Sequence, residues 1–338
     1  MNKKATNIFK YSLFLGIGVF LVWWSLHKIP DNKWYEFKTA LLTANFWLLF
    51  PVFIILTTSH ILRAIRWNTL MKPMGYQPRI VNTFFAVMIG YLANLAVPRL
   101  GEVLKCTLLS KYENVPAEKL VGTIVIERAV DIVCLGLVFV AAFALQYELI
   151  GEYGKQLLSN LFANKNGNFS WTKMGIAFVI ILSLILIITV WFNTFSHLKI
   201  VKALKKILKG ILEGLSSIRN VQQKGRFLFC TIGIWSLYIA GTWVGLCATQ
   251  YTAHLGFSAA LSALAFASIG MIITPGGIGA YAIFLANVLE KNDIPYEIGL
   301  ANGTLQWFAQ FLIVVIIGFI SVGLLPWYNK NNLSNETN

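Results

Sequence analysis

The sequence predicts an all-α membrane protein that crosses the bilayer several times. Hydrophobic residues make up 57% of its 338 residues and charged residues only 12%, whereas soluble domains carry about 25% charged residues. The mean hydropathy is +0.66. Together these values exclude a soluble enzyme, a disordered chain and a fibrous protein.

Six apolar runs reach the roughly 20 residues that a helix needs to cross a hydrocarbon core. The first lacks a small-residue cleavage site, so we interpret it as a retained helix rather than a signal peptide. After the last run, residues 327–338 form a polar tail that we expect to be disordered. The predicted spans cover 8–27, 42–62, 119–145, 174–195, 227–249 and 304–326.

Two further apolar regions are broken by proline and glycine. We call residues 79–111 the first hairpin and residues 257–290 the second hairpin. Each continues past its break for only about a dozen apolar residues, too few to cross alone. We therefore predict re-entrant hairpins, which leave the membrane by the face they entered. Their predicted tips contain Pro98 and Gly101 in the first, and Pro275, Gly276, Gly277 and Gly279 in the second.

The distribution of basic residues favours hairpins over full crossings. Hairpins place 20 of the 28 Lys and Arg residues in the cytoplasm, in both termini, 63–79, 99–119 and the basic stretch 197–226. Full crossings place that stretch outside, against the positive-inside rule. Within it, residues 198–221 read as an amphipathic connector, which either recruits anionic lipid or only fixes topology.

This arrangement predicts an inverted-topology repeat. Two spans, a hairpin and a further span occur in 8–145 and again, with opposite orientation, in 174–326. Transporters use such repeats to expose one midplane site alternately to the two sides. The alternative is that two independent Pro/Gly kinks evolved without symmetry.

Charged residues lie within one predicted span. Glu127, Arg128 and Asp131 occur in 119–145, where each charge costs about 3 kcal/mol unless it has a partner. Arg128 and Asp131 are spaced for an intrahelical pair, and the net charge of −1 calls for another cation. The cluster either orients helices or forms a polar cavity for a charged headgroup or a proton. Candidate cations are Arg63, Arg66 and Arg99.

The hairpin tips suggest an anion site. A broken helix presents free N–H groups where its second half begins, and Arg99 adds a donor well matched to phosphate. Glu102 is expected to form an ion pair with Arg99 or Lys105, or to take up and release a proton. The glycines at 276, 277 and 279 either complete this cradle or only permit close helix packing.

Other classes of site have little support. The net charge of +14 is better explained by anionic lipids than by nucleic acid. The four cysteines and four histidines are scattered, so we expect no catalytic set, metal or disulfide. No Walker loop or dinucleotide fingerprint occurs, and we expect no cofactor.

Four ordered motifs resemble the flippase-like membrane domain of lysylphosphatidylglycerol synthetases, whose stand-alone members form uncharacterised protein family 0104. The resemblance covers about 8–326 and implies a multi-pass protein of the plasma (inner) membrane. In the two-domain synthetases this region is associated with flipping an aminoacylated lipid that a separate soluble domain makes. The motifs are Arg63-x-x-Arg66-Trp67, Pro98-Arg99-x-Gly101-Glu102, Glu127-Arg128-x-x-Asp131 and Pro275-Gly276-Gly277-x-Gly279.

One position departs from the resemblance. Many relatives have Glu or His three residues after the last glycine of the fourth motif, where this chain has Ala282. If that residue moves protons or selects headgroups, the ligand or the coupling of this chain differs.

The leading hypothesis is a flippase or scramblase for a phosphate-containing lipid. Its expected partners are membrane lipids, with a homo-oligomer or a lipid-modifying enzyme as further possibilities. One alternative is a polyprenyl-phosphate-dependent glycosyltransferase that uses Glu102 and Asp131. The other is an assembly subunit without transport of its own.

Overall fold

The computed structural model describes residues 16–97, 99–146 and 221–333. Within these ranges every regular element is a helix, which confirms the predicted all-α class. Several predicted features lie outside the described residues. They are Pro98 of the first tip, residues 8–15 of the first span, the span 174–195 and all but the last residue of the connector 198–221.

The described chain contains ten α-helices and four short 3₁₀ turns. Four of them, α3, α6, α7 and α10, belong to segments long and apolar enough to cross a membrane. The helices are α1 (Gly16–His27), α2 (Trp34–Leu42), α3 (Leu49–Met71), α4 (Ile80–Ala96), α5 (Leu100–Glu113), α6 (Ala117–Leu145), α7 (Lys224–Leu246), α8 (Phe257–Ile273), α9 (Ala280–Glu290) and α10 (Tyr296–Leu333).

The second predicted span is displaced along the chain. Helix α3 begins at Leu49 and continues to Met71, whereas the sequence predicts a span over 42–62. The prediction stopped at Arg63 because a charge normally ends an apolar run. Here the second half of α3 is buried, and its arginines form ion pairs with α6, so the helix continues past them. Residues 34–42 form the separate helix α2.

The prediction of a disordered tail from residue 327 is wrong for the described part. Helix α10 continues through Pro326 to Leu333. The cause is Asn329, which is 1% exposed. Its side-chain amide donates to Asn82 Oδ1 and to the Leu325 carbonyl, both at 2.8 Å. The end of α10 is therefore fixed to the beginning of α4.

Replacing Asn329 with Ala is expected to destabilise the protein by about 1–3 kcal/mol, because buried polar partners lose their hydrogen bonds. Thermal denaturation in detergent measures the effect. The exposed Asn32, changed to Ala, is the control and should leave the melting temperature unchanged. Equal melting of the two variants would contradict the anchoring role of Asn329.

The first hairpin is formed by α4 and α5, which pack side by side. Glu113 at the end of α5 forms an ion pair with Arg79, just before α4, at 3.0 Å. Near the tip the backbones touch, since a Cβ on Gly101 would lie 1.9 Å from the Gly90 carbonyl oxygen. Glycine is required for this approach. The end of α5 thus lies beside the beginning of α4, at the same end of the hairpin.

The second hairpin is formed by α8 and α9, with a Pro275–Gly277 3₁₀ turn at its tip. Gly270 of α8 packs against the backbone of α9, since a Cβ on Gly270 would lie 2.7 Å from the Tyr281 nitrogen. Gly276 and Gly277 both have positive φ, 59° and 75°, which glycine adopts without strain. Helix α9 then runs back along α8.

The open ends of the two hairpins lie at opposite ends of the helix bundle. At one end, which we call the basic end, Lys72 contacts Gln223 and Arg79 contacts Glu113. At the other, the acidic end, Gln146 donates to Asn292 at 3.2 Å. The basic end carries Lys72, Arg79, Lys111, Lys119, Lys224, Arg226 and Lys330 against Glu113 and Glu118. The acidic end carries Lys28, Lys33, Lys38 and Lys291 against Asp31, Glu36, Glu290, Asp293 and Glu297.

Each hairpin packs into its own apolar cluster. Leu109 of the first hairpin packs with Trp67 and Leu120 near the basic end. Leu285 of the second hairpin packs with Ile298 and Leu300 near the acidic end. The two clusters hold the hairpin bases, and the tips converge between them.

Candidate functional site

Both hairpin tips line one cavity of about 1030 Å³. Asn94, Leu95 and Arg99 reach it from the first hairpin, and Pro275 and Gly276 from the second. The tips also touch, since a Cβ on Gly276 would lie 2.8 Å from Leu95 Cδ2. The chain therefore brings its two helix breaks to a single place.

The cavity extends along helix α3. Leu49 and Arg63 both line it, and the fourteen residue steps from one to the other correspond to about 21 Å of helix. A hydrocarbon core is about 30 Å thick, so the cavity covers much of that depth. Its wall is charged around Arg63 and largely apolar elsewhere, with exposed Ile132 and Ile272 on α6 and α8.

Arg63 bridges the two carboxylates of α6. Its Nη1 donates to Glu127 Oε1 and to Asp131 Oδ2, both at 2.7 Å, and its Nη2 donates to the Tyr238 hydroxyl at 3.2 Å. Arg66 Nη2 donates to Asp131 Oδ1 at 2.7 Å. Of the three cations that the sequence proposes for the α6 carboxylates, the structure places Arg63 and Arg66 against them.

Behind the cavity wall lies a buried part of this cluster. Glu127 is 2% exposed, and its second oxygen accepts from Lys105 Nζ at 3.1 Å. Lys105 lies over the Trp67 ring at 4.7 Å, and Trp67 Nε1 donates to Thr123. Neither Glu127 nor Arg66 is among the described lining residues. These contacts tie α3, α5 and α6 together.

The structure corrects the predicted partners of Arg128, Glu102 and Lys105. Arg128 does not pair with Asp131. It reaches across to Glu102 of α5 at 3.2 Å, with both side chains partly exposed, 45% and 33%. Lys105 pairs with Glu127 instead of Glu102. The intrahelical alternative fails because Asp131 is already held by two arginines from α3.

The described lining has more positive than negative charge. Arg63, Arg99 and Arg128 face Glu102 and Asp131, and both of these carboxylates are ion-paired. Arg99 is exposed, adopts a positive φ of 67° and makes no hydrogen bond or ion pair with other described residues. Because a free guanidinium in a concave wall attracts anions, Arg99 is the strongest anion-binding candidate in the described part of the chain.

Two backbone N–H groups at the tips are already hydrogen-bonded within the protein, and one of them, that of Gly277, belongs to the predicted cradle. The Gly277 N–H donates to the Thr274 carbonyl at 3.0 Å, and the Gly101 N–H donates to Asn94 Oδ1 at 2.8 Å. Gly279 packs against α1, where a Cβ would lie 2.9 Å from the Val22 nitrogen. These glycines serve close packing and turn geometry. Gly276 alone among the four tip glycines is a described lining residue.

Several polar lining residues were missed by the sequence reasoning. His60 and Tyr91 pack ring against ring, 5.2 Å between centroids, beside Arg63. Trp307 of α10 donates to the Gly276 carbonyl at 2.7 Å, which secures the second tip. The available signals were the three-residue spacing of His60 from Arg63 and the polar pair Gln306 and Gln310 inside an apolar span.

Ala282 lies away from the cavity. It is 7% exposed and packs against α10, where a Cβ on Gly303 would lie 2.8 Å from Ala282 Cα. Gly303 and Ala282 are thus both small residues at a close contact between α9 and α10. The small residue at 282 thus belongs to the packing of the second hairpin on α10.

This arrangement defines a helical, multi-pass membrane protein with a polar cavity between two broken helices. Residues 11–318 match the family described as the lysylphosphatidylglycerol synthase TM region, and the chain belongs to this family. It is also 23% identical over 288 residues to a UPF0104 membrane protein of Methanocaldococcus jannaschii. The aligned residues make up 80% of this chain and 82% of that protein. The resemblance drawn from the four motifs is confirmed. No solved structure matches the chain.

Proposed function

We propose that this protein moves a phosphate-containing lipid between the two leaflets, as a flippase or scramblase. The phosphate binds Arg99 at the junction of the tips, with Arg63 deeper in the wall. The acyl chains remain among apolar residues such as Ile132 and Ile272, which line the cavity and are exposed. The positive-inside rule places the basic end in the cytoplasm, and the resemblance to the family implies the plasma membrane.

The observation that carries this proposal is a cavity that is charged and apolar at once, bounded by both hairpin tips. A lipid has the same division into a charged headgroup and apolar chains. A soluble ion or metabolite would need no apolar wall at membrane depth. The family supports a membrane role of this kind, since it is the membrane region of a lipid-modifying enzyme.

The opposed hairpins support alternating access. We interpret them as re-entrant segments of an inverted-topology repeat, because their open ends lie at the basic end and at the acidic end respectively. In this interpretation, movement of one repeat relative to the other would open the site to each leaflet in turn. The ion pair Arg128–Glu102 links the first hairpin to α6 and is partly exposed. It can therefore break without leaving a buried charge unpaired.

Replacing Arg99 with Gln is expected to slow lipid movement about tenfold or more. A charge-assisted hydrogen bond contributes about 1.5–3 kcal/mol, and 1.4 kcal/mol corresponds to a factor of ten. The assay is dithionite quenching of an anionic, acyl-labelled phospholipid in proteoliposomes. The exposed Lys38 at the acidic end, changed to Gln, is the control. An unchanged rate in Arg99→Gln contradicts the site, and a wild-type rate equal to that of protein-free liposomes contradicts the function.

A further inference from the structure

We propose that the cavity selects an anionic phospholipid whose headgroup is otherwise uncharged and bears hydroxyls, and that it rejects aminoacylated, cationic headgroups. This inference rests on the proposed transport function and names its substrate class. The charges and hydrogen-bonding groups of the cavity distinguish between these two kinds of headgroup.

The described part of the cavity carries a net positive charge. Three arginines and two carboxylates line its described part, an excess of one positive charge. Behind the wall, Arg66 and Lys105 outnumber Glu127 by one more. A lipid phosphate reduces this excess, whereas an added ammonium group restores it in a region of low dielectric, where like charges repel strongly.

No lining carboxylate in the described chain is available to an ammonium group. Asp131 accepts hydrogen bonds from Arg63 and Arg66, and Glu102 is paired with Arg128. A cationic headgroup would have to displace one of these arginines. That exchange would leave a guanidinium without its partner inside the protein, which is costly.

Two residues that line the cavity carry donors without a partner just beneath its surface. Arg63 Nε and Trp235 Nε1 are buried and make no hydrogen bond, and both residues line the cavity. Arg63 is only 6% exposed. Phosphate and hydroxyl oxygens accept from such donors, whereas an ammonium group has only donors to offer. These two donors match the oxygens of a phosphate ester.

The rest of the polar wall is uncharged. Asn94 reaches the cavity beside the first tip, and Gln306 and Gln310 reach it from α10. Amides both donate and accept, as hydroxyl groups do. A glycerol or sugar headgroup attached to the phosphate at Arg99 would find matching partners here.

The decisive experiment compares two lipids that differ only in the headgroup. Phosphatidylglycerol and its lysyl ester, each with the same fluorescent acyl chain, are reconstituted with the full chain, and their movement is followed by dithionite quenching. We expect phosphatidylglycerol to move at least tenfold faster. If the lysyl ester moves equally fast or faster, the selectivity is wrong while the transport function stands. If neither lipid moves faster than in protein-free liposomes, the transport function itself fails.

A charge reversal tests the cause of the selectivity. Arg99→Glu changes the charge of the described lining from an excess of one positive to an excess of one negative, and should lower or reverse the preference for phosphatidylglycerol. Arg99→Lys keeps the charge and is the matched control, so the preference should remain. Because Arg99 is exposed, neither change disturbs the buried cluster. An unchanged ratio in Arg99→Glu would overturn the electrostatic origin of the selectivity.

Discussion

Replacing Glu127 with Gln is expected to destabilise the folded protein by about 3–5 kcal/mol, as when a buried ion pair loses one partner. Glu127 is 2% exposed and accepts from Arg63 at 2.7 Å and from Lys105 at 3.1 Å. Without its charge, Lys105 has no carboxylate within ion-pairing distance in the described chain, and Arg63 must share Asp131 with Arg66. The apparent melting temperature in detergent measures the loss.

Two further variants separate the loss of charge from other effects. Glu102→Gln removes a carboxylate whose ion pair is partly exposed, so it should cost less than about 1 kcal/mol. Adding Lys105→Met to Glu127→Gln removes the unpaired cation next to Trp67 and should restore part of the stability. If the Glu127→Gln and Glu102→Gln proteins have the same melting temperature, the buried cluster does not hold α3, α5 and α6 together.

Replacing Gly101 with Ala is expected to destabilise the first hairpin by about 3 kcal/mol, at the upper end of typical overpacking costs. An added Cβ would lie 1.9 Å from the Gly90 carbonyl oxygen and 2.8 Å from the Asn94 side chain. The Gly90 backbone cannot move aside as a flexible side chain can. Helices α4 and α5 must therefore move apart. That movement also displaces Arg99, which is two residues away, and lipid movement should fall together with stability.

Gly136→Ala on α6 is the matched control for this substitution. A Cβ on Gly136 meets nothing within 4 Å, and alanine favours a helix by about 1 kcal/mol relative to glycine. This control should therefore melt at the wild-type temperature or slightly above it. A Gly101→Ala protein with the same melting temperature as the control would contradict the close contact of α4 and α5.

The hairpins were predictable because proline and glycine mark backbone breaks directly. The first hairpin was placed at 79–111 and its helices cover Ile80–Glu113, while the second was placed at 257–290 and its helices end at Glu290. The end of α3 was not predictable in the same way. Hydropathy treats Arg63 as the end of an apolar run and has no knowledge of its partners on α6.

The roles of the individual site residues depended on the three-dimensional structure. The net charge of the α6 cluster showed that a cation was needed, but not which of three arginines supplied it. Gly276 and Gly279 are three residues apart in one motif, yet one lines the cavity and the other packs on α1. Such a difference follows from the direction in which each residue faces in the turn, which sequence spacing does not specify at a broken helix.

The central claim is that the two hairpins enter the membrane from opposite faces and meet at one cavity. Single cysteines at both ends of each hairpin test it, in a chain whose native cysteines are replaced and with a membrane-impermeant maleimide applied to intact cells. The test positions are exposed, and they are Gln77 and Lys111 for the first hairpin and His254 and Lys291 for the second.

We expect cysteines at positions 254 and 291 to react in intact cells, because they lie at the acidic end. Cysteines at positions 77 and 111 should react only after the membrane is permeabilised, because they lie at the basic end. If the two ends of either hairpin react from opposite sides, or if all four positions react from the same side, the opposed hairpins and the shared site between them are wrong.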